Sequence, residues 1–97
     1  MKVTWSPLAI DRVAEIASYI AEDKPAAAER WIHMIFAKAG QLSSYPESGR
    51  HIAETCRRDI RELVPGNYRI VYRTDSRNVL ILTVRNSKQE VPLEDLR

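Results

Sequence analysis

Two stretches of helical periodicity, with almost no chain between them, most constrain how these 97 residues can fold. Apolar residues recur at helical spacing from Ala9 to Ile20. Ser6 followed by Pro7 predicts the start of this helix, because a serine hydroxyl caps free backbone N–H groups and proline suits the first helical position. Pro25 opens a second helix, whose apolar stripe runs from Ala28 to Leu42. Because the joint "EDKP" is short, the two helices are predicted to form an antiparallel hairpin.

Strand-like segments stand on both sides of the predicted hairpin. "KVTW" (residues 2–5) alternates between apolar and polar residues and predicts a short first strand. The later segments are "RRDIRELV" (57–64), "YRIVYRT" (68–74) and "VLILTV" (79–84). The alternation of the first of these is imperfect, which predicts a β-bulge there. The last is apolar on both faces, as expected of a central strand covered by helices.

Turn signals join the later segments into a meander. "PGN" at residues 65–67 supplies Gly66 and Asn67, which tolerate positive φ. The sequence therefore predicts one α+β domain over residues 1–97. Its predicted order is β-α-α-β-β-β: an N-terminal strand, an antiparallel helical hairpin packed on a mostly antiparallel sheet, and a closing three-strand meander.

The composition argues against several classes of protein. No apolar run approaches the roughly 18–20 residues that a membrane span needs, and no segment is typical of a signal peptide. Cys56 is the one cysteine, so we expect neither an intrachain disulfide nor a cysteine metal cluster. His33 and His51 belong to separate predicted elements, so we expect no metal site and no other cofactor. A cytoplasmic location without a membrane partner is expected.

Charge is unevenly distributed along the chain. The formal net charge is only +2, but between Arg50 and Lys88 nine basic residues stand against four acidic ones. The 49 residues before them are close to neutral. Such an excess predicts an acidic partner, either nucleic acid or an acidic segment of a protein.

The stretch "YPESGRH" (residues 45–51) lies between the helices and this basic half. Pro46 disfavours a helical conformation in Tyr45 and so ends the second helix, and Gly49 is predicted to permit a chain reversal. A lone histidine on such a loop is far more often a surface residue than a catalytic one. We therefore predict a structural corner here, with His51 outside any active site.

Four segments in this order, "SPLAIDRVAEIASYIAED", "LSSYPESGR", "PGNYRIVYRT" and "VLILTVRN", resemble the RelE/ParE superfamily of toxins from bacterial toxin–antitoxin pairs. The corner made by Leu42, Pro46, Gly49 and Arg50 is similar to that of the ParE-like branch. This resemblance implies a type II toxin that binds and inhibits DNA gyrase. It also implies that a cognate ParD-like antitoxin neutralises the toxin in a hetero-oligomer, and that the toxin alone does not bind DNA.

RelE-like members of the superfamily instead cleave messenger RNA in the ribosome, and this is the alternative function. Metal-free RNA cleavage needs a base, an acid, and cations for the developing phosphorane charge. The segment "VRNSKQEVPLEDLR" after the last predicted strand contains no histidine or tyrosine, and Arg85 and Lys88 are not bases near neutral pH. A toxin that is not an enzyme is therefore favoured, with enzymatic activity left open. A small binding module without toxicity is the third interpretation.

The resemblance also points to candidate site residues, because the end of the last strand and the tail matter in ParE-like proteins. Asn86 stands where many relatives carry histidine. Arg69 matches an arginine of the RelE-like site, and would otherwise form an ion pair with a sheet neighbour such as Glu62. The candidates for toxicity or target binding are Arg61, Arg69, Arg85, Asn86 and Lys88. The candidates for contact with an acidic antitoxin are Arg50, Arg57, Arg58 and Arg73.

Overall fold

Five strands and two helices make up the computed structural model, which describes all residues from Met1 to Arg97. Their bounds are β1 Lys2–Trp5, α1 Pro7–Asp23, α2 Pro25–Gly40, β2 Arg50–His51, β3 Ile60–Leu63, β4 Tyr68–Thr74 and β5 Asn78–Asn86. Short 3₁₀ turns follow α2 at Gln41–Ser43 and lie near the C-terminus at Leu93–Leu96. The predicted order is confirmed, with β2 as an additional short strand.

The helical hairpin begins and turns where the sequence predicts. Ser6 Oγ accepts a hydrogen bond from the Ala9 N–H at 3.0 Å, and Pro7 is the first residue of α1. Lys24 alone separates the two helices, and its N–H donates to the Ile20 carbonyl at 2.9 Å. With a one-residue joint, α2 folds back along α1, and both apolar stripes face the sheet.

The five strands form one sheet in the order β1-β5-β4-β3-β2. β1 runs parallel to β5, and every other neighbouring pair is antiparallel. The predicted α+β fold, with its mostly antiparallel sheet and closing meander, is confirmed. β2 consists only of Arg50 and His51, which pair with Glu62 and Arg61. A strand of two residues carries no alternating pattern that the sequence could reveal.

The predicted β-bulge lies in a different pair of strands. β3 pairs with β4 in unbroken register along its whole length. The irregularity is between β4 and β5, where Val71 pairs with Thr83 but Tyr72 pairs with Ile81, which makes Leu82 the extra residue. The prediction was wrong because the first three residues of "RRDIRELV" lie in the loop before β3, and so do not belong to its alternation.

Two different segments cover the two faces of the sheet. The hairpin covers one face, where its helices bury Ile70, Tyr72 and Ile81. The opposite face buries Val71 and Leu82 beneath the C-terminal segment. β5 is therefore buried on both faces, as predicted, but its second cover is the chain after β5 and not a helix. The residues of this second core are Ile52, Ile60, Val71, Leu82, Val91 and Leu96.

Neither helix of the fold has the length and apolar character needed to cross a membrane.

Candidate functional site

Tyr72 of β4 closes the corner between α2 and β2. The Gly49 N–H donates to Tyr72 Oη at 2.9 Å, and this hydroxyl donates to the Pro46 carbonyl at 2.9 Å. A Cβ atom at Gly49 would lie 2.5 Å from Tyr72 Oη and 2.6 Å from the Glu62 carbonyl oxygen. The one glycine with positive φ is Gly66, at 60°. Gly49 is therefore required by close packing, and not by the backbone freedom that the sequence analysis assigned to it.

The predicted corner is confirmed, and a toxicity candidate helps to hold it. Arg61 Nη1 donates to the carbonyls of Gly49 at 2.9 Å and Glu47 at 3.3 Å. His51 pairs with Arg61 along β2 and is exposed. Burial raises the pKa of Tyr72, so its phenol stays protonated at neutral pH.

A groove of about 930 Å³ opens between β2, the loop after it and the C-terminal segment. Arg69 lines it and is only 8% exposed, because two carboxylates hold its guanidinium. Nη1 and Nη2 donate to the two oxygens of Glu54 at 2.6 and 2.8 Å, and Nε donates to Glu62. Arg50 Nε donates to the second Glu62 oxygen at 2.9 Å. The sequence allowed two interpretations of Arg69, a site residue or an ion pair with Glu62, and the structure shows the ion pair.

Glu54 is a member of this network that the sequence analysis missed. The two hydrogen bonds from Arg69 lower the pKa of Glu54 to about 2, and the Val91 N–H, at 2.9 Å, favours the same charged form. The contact with Glu54 in turn raises the pKa of the Arg69 guanidinium. Both groups therefore stay charged over the physiological range. No sequence signal identifies Glu54, because it comes from a loop that only the fold brings to β4.

A second charged cluster, the Asp95 cluster, lies at the end of β5. One oxygen of Asp95 accepts from Arg85 Nη2 at 2.9 Å, Arg85 Nε at 3.1 Å and Thr83 Oγ1 at 3.1 Å. The other lies 3.8 Å from Nη2 of Arg12 on α1. The Asp95 side chain is 3% exposed. This carboxylate therefore joins the C-terminal segment to both the sheet and the helical hairpin.

Asn86 and Lys88 occupy the turn after β5. Asn86 Oδ1 accepts the Lys88 N–H at 3.0 Å, which fixes the turn. The Lys88 side chain is exposed and forms no ion pair. Of the five toxicity candidates, Lys88 is thus the freest cation.

The antitoxin candidates divide between two places. Arg57 and Arg73 meet where β3 begins and β4 ends, since both lower the pKa of Asp59, Arg57 through its hydrogen bonds and Arg73 through its charge. Arg58 is exposed beside them without an ion pair. Arg50 lies apart from them, on the rim of the 930 Å³ groove.

The nine cations of the basic half are therefore not equivalent. Five are engaged by carboxylates or carbonyls of the chain itself: Arg50, Arg57, Arg61, Arg69 and Arg85. The side chains of the other four have no such partner: Arg58, Arg73, Arg77 and Lys88. The toxicity candidates do not converge on one site, because Arg61 faces the corner, Arg69 faces the large groove, and Arg85 faces the Asp95 cluster. No group of three or more His, Cys, Asp or Glu residues is placed to hold a metal ion.

The architecture is shared with a solved chain from a toxin–antitoxin system. A chain of the chromosomal ParDE toxin–antitoxin system from P. aeruginosa matches with a TM-score of 0.76, over 91% of this chain and 97% of that one. Only 16% of the residues are identical, so this likeness defines the fold alone. The class is an α+β fold built from a helical hairpin and a five-stranded sheet.

Sequence comparison then defines the family. The model of the ParE toxin of the type II toxin–antitoxin system parDE matches residues 3–91. Y4kP, a candidate toxin of Sinorhizobium fredii, is 40% identical over 95 residues, which cover 94% of this chain and 93% of that protein. The chain belongs to the ParE family of toxins of type II toxin–antitoxin systems, as the resemblance implies.

Proposed function

We propose that this toxin arrests growth by binding and inhibiting DNA gyrase, and that it does not cleave RNA. The observation that carries the proposal is the engagement of Arg69, which is 8% exposed and bound by Glu54 and Glu62. To contact a phosphate, this guanidinium would have to leave a buried ion pair. Breaking such a pair by removing one partner costs roughly 3–5 kcal/mol.

The end of β5 also lacks a histidine: the aromatic residue that pairs with Asn86 there is Tyr68, whose half-buried ring packs against Trp31. RNA cleavage needs a base and an acid within hydrogen-bonding reach of the reacting oxygens. No histidine or tyrosine follows Tyr72 in the chain, and Tyr72 itself is buried with its hydroxyl bound to Gly49 and Pro46. His51 lies on β2, which β3 and β4 separate from β5. These placements favour a toxin that acts by binding.

The surface that we assign to the target is the end of β5 with the turn after it. Asn86 and Lys88 are accessible there, and the Asp95 cluster fixes Arg85 next to them. Arg69 is assigned to the fold because its Nε, Nη1 and Nη2 all donate inside the chain. Arg61 is assigned to the fold because its Nη1 holds the corner through the carbonyls of Gly49 and Glu47. We further propose that the toxin acts in the cytoplasm and that a ParD-type antitoxin neutralises it there.

A supercoiling assay with purified gyrase tests the proposal. The wild-type toxin is expected to inhibit supercoiling. Lys88→Gln should raise the concentration for half-inhibition by about threefold to tenfold, as expected when one charged contact is lost. Lys38→Gln, which removes an exposed cation from α2, is the matched control and should leave inhibition unchanged.

A parallel reaction with translating ribosomes tests the alternative. Transcripts should stay intact at toxin concentrations that inhibit gyrase. Cleaved transcripts together with unimpaired supercoiling would overturn the proposal in favour of a ribosome-dependent endoribonuclease. If a correctly folded preparation neither inhibits gyrase nor cleaves transcripts, both mechanisms are wrong, although the family membership stands.

A further inference from the structure

One end of the sheet collects cations from four neighbouring strands. β1 and β5 start there side by side, and the Lys2 N–H donates to the Arg77 carbonyl at 3.4 Å. β4 ends and β3 begins there too, with the Thr74 N–H donating to the Asp59 carbonyl at 2.9 Å. The cations at these strand ends, which we call the basic end, are Lys2, Arg58, Arg73 and Arg77. Arg73 is half-buried and the other three are exposed.

Two carboxylates lie among these cations, and the chain itself holds each of them. Arg57 Nε and Nη2 donate to the two oxygens of Asp59 at 3.1 and 2.8 Å, so Arg57 balances the charge of Asp59. Asp75 Oδ1 accepts the N–H groups of Arg77 and Asn78 at 2.8 and 2.7 Å, which fixes the turn between β4 and β5. The four cations of the basic end form no ion pair and stand against Asp75 alone. The basic end therefore keeps a net positive charge.

The spread of these cations selects an extended anion. Neighbouring strands lie about 4.8 Å apart, so the four strand ends span roughly 14 Å. Cations on four separate strands cannot all converge on one small anion. Duplex DNA carries one phosphate per about 1.7 Å of its axis, so a row of this length meets several phosphates at once.

The other side chains of these strand ends favour a phosphate backbone over a protein surface or unpaired bases. Residues 57–60 and 73–78 include no exposed apolar or aromatic side chain. Aromatic side chains are the usual anchors of protein interfaces, and they are the platforms on which single-stranded bases stack. Ser76 and Asn78 are exposed, and hydroxyl and amide groups are common partners of phosphate oxygens.

We propose that the basic end binds the phosphate backbone of duplex DNA without reading its sequence. This inference goes beyond the proposed inhibition of gyrase, and it differs from the resemblance, which implies that the toxin alone does not bind DNA. The basic end and the turn that holds Asn86 and Lys88 lie at opposite ends of β5. Bound DNA therefore leaves the proposed target surface free.

Fluorescence anisotropy tests the inference, with a short labelled DNA duplex of arbitrary sequence titrated with the full-length toxin. The logarithm of the association constant should fall with the logarithm of the salt concentration with a slope of about −3 to −4, as about four phosphate contacts give. Arg58→Gln/Arg77→Gln should weaken binding about tenfold or more and make the slope shallower by about 2. Arg30→Gln/Lys38→Gln removes the same charge from exposed positions of α2 and should change neither quantity.

Thermal unfolding of the variants separates a binding defect from a folding defect. No binding of the wild type at low salt, or equal effects of the two double variants, would overturn the inference. Tighter binding to a single strand of the same length would overturn it in favour of unpaired nucleic acid. Poly-glutamate that displaces the duplex better than unlabelled DNA, at equal charge concentration, would overturn it in favour of an acidic protein. Gyrase is absent from this assay, so failure of DNA binding and failure of gyrase inhibition are measured separately.

Discussion

Gly49 shows most clearly how one residue constrains this fold. Alanine at this position would place its Cβ atom 2.5 Å from Tyr72 Oη and 2.6 Å from a backbone oxygen, so either the corner or β4 must move. We expect Gly49→Ala to lower the free energy of unfolding by about 2–4 kcal/mol, a range typical of overpacking combined with lost hydrogen bonds. Urea denaturation measures the change.

Gly40 provides the control for this substitution. A Cβ atom there meets nothing within 4 Å, and the backbone is helical with φ of −61°. Gly40→Ala is therefore expected to be neutral or to stabilise by about 0.4–1 kcal/mol. Equal effects of the two substitutions would contradict the close-packing explanation.

Glu54 makes the folding stability of the molecule depend on pH. Its pKa is about 2 in the folded chain, against an ordinary value of 4.5. The stabilisation is therefore fully present above pH 4.5 and is lost as the pH falls towards 2. Discounted for contact with solvent at the groove, it amounts to about 1–2 kcal/mol. In Glu54→Gln the decrease in stability over this pH window should be smaller than in the wild type. An unchanged slope, with the exposed Glu94→Gln as control, would contradict this assignment.

The sequence could predict these residues only in part. The ion pair of Arg69 with Glu62 can be predicted from the sequence, because both residues lie on segments with strand patterns. Glu54 and Asp95 could not be found, since each lies outside any periodic segment and reaches its arginine only after the chain has folded. Buried ion pairs formed by loops leave no local pattern to detect.

Among the elements, the C-terminal segment was the least predictable. The helices can be predicted from the N-cap and the apolar stripe within each segment. β2 and the position of the bulge depend instead on which strands pair with each other. The segment after β5 has no periodicity, yet its Val91 and Leu96 complete the second core of the sheet. It is thus a structural part of the domain and not a loose tail.

Leu96 tests this role of the C-terminal segment. Its side chain is 4% exposed and packs in the second core, so Leu96→Ala should cost about 2–4 kcal/mol of unfolding free energy. Leu93 belongs to the same 3₁₀ turn but is 69% exposed, so Leu93→Ala should cost less than about 0.5 kcal/mol. Denaturant titrations of the two variants decide the matter. Similar values would mean that the segment does not hold the sheet.

At the scale of the whole molecule, the predicted architecture is right. The cations that were predicted to contact an acidic partner, however, are not all free to do so. The skew towards cations between Arg50 and Lys88 predicts an acidic partner. Internal ion pairs engage four of the nine cations, and a fifth, Arg61, donates to backbone carbonyls, which leaves four cations without either kind of contact. Composition reports how many charges a chain has, while only the tertiary structure decides which of them a partner can meet.

The unpaired cations should govern how fast a ParD-type antitoxin associates rather than how stable the toxin is. Arg58 and Arg77 are exposed and have no ion pair. The double variant Arg58→Gln/Arg77→Gln should keep its unfolding free energy within about 0.5 kcal/mol of the wild type. Its association rate constant at low salt should fall by about threefold to tenfold, because long-range attraction to an acidic partner is weakened, and the difference should vanish at high salt.

Arg30→Gln/Lys38→Gln removes the same charge from α2 and should slow association much less. Equal slowing by both pairs would mean that the net charge, and not the position of the charges, steers the encounter.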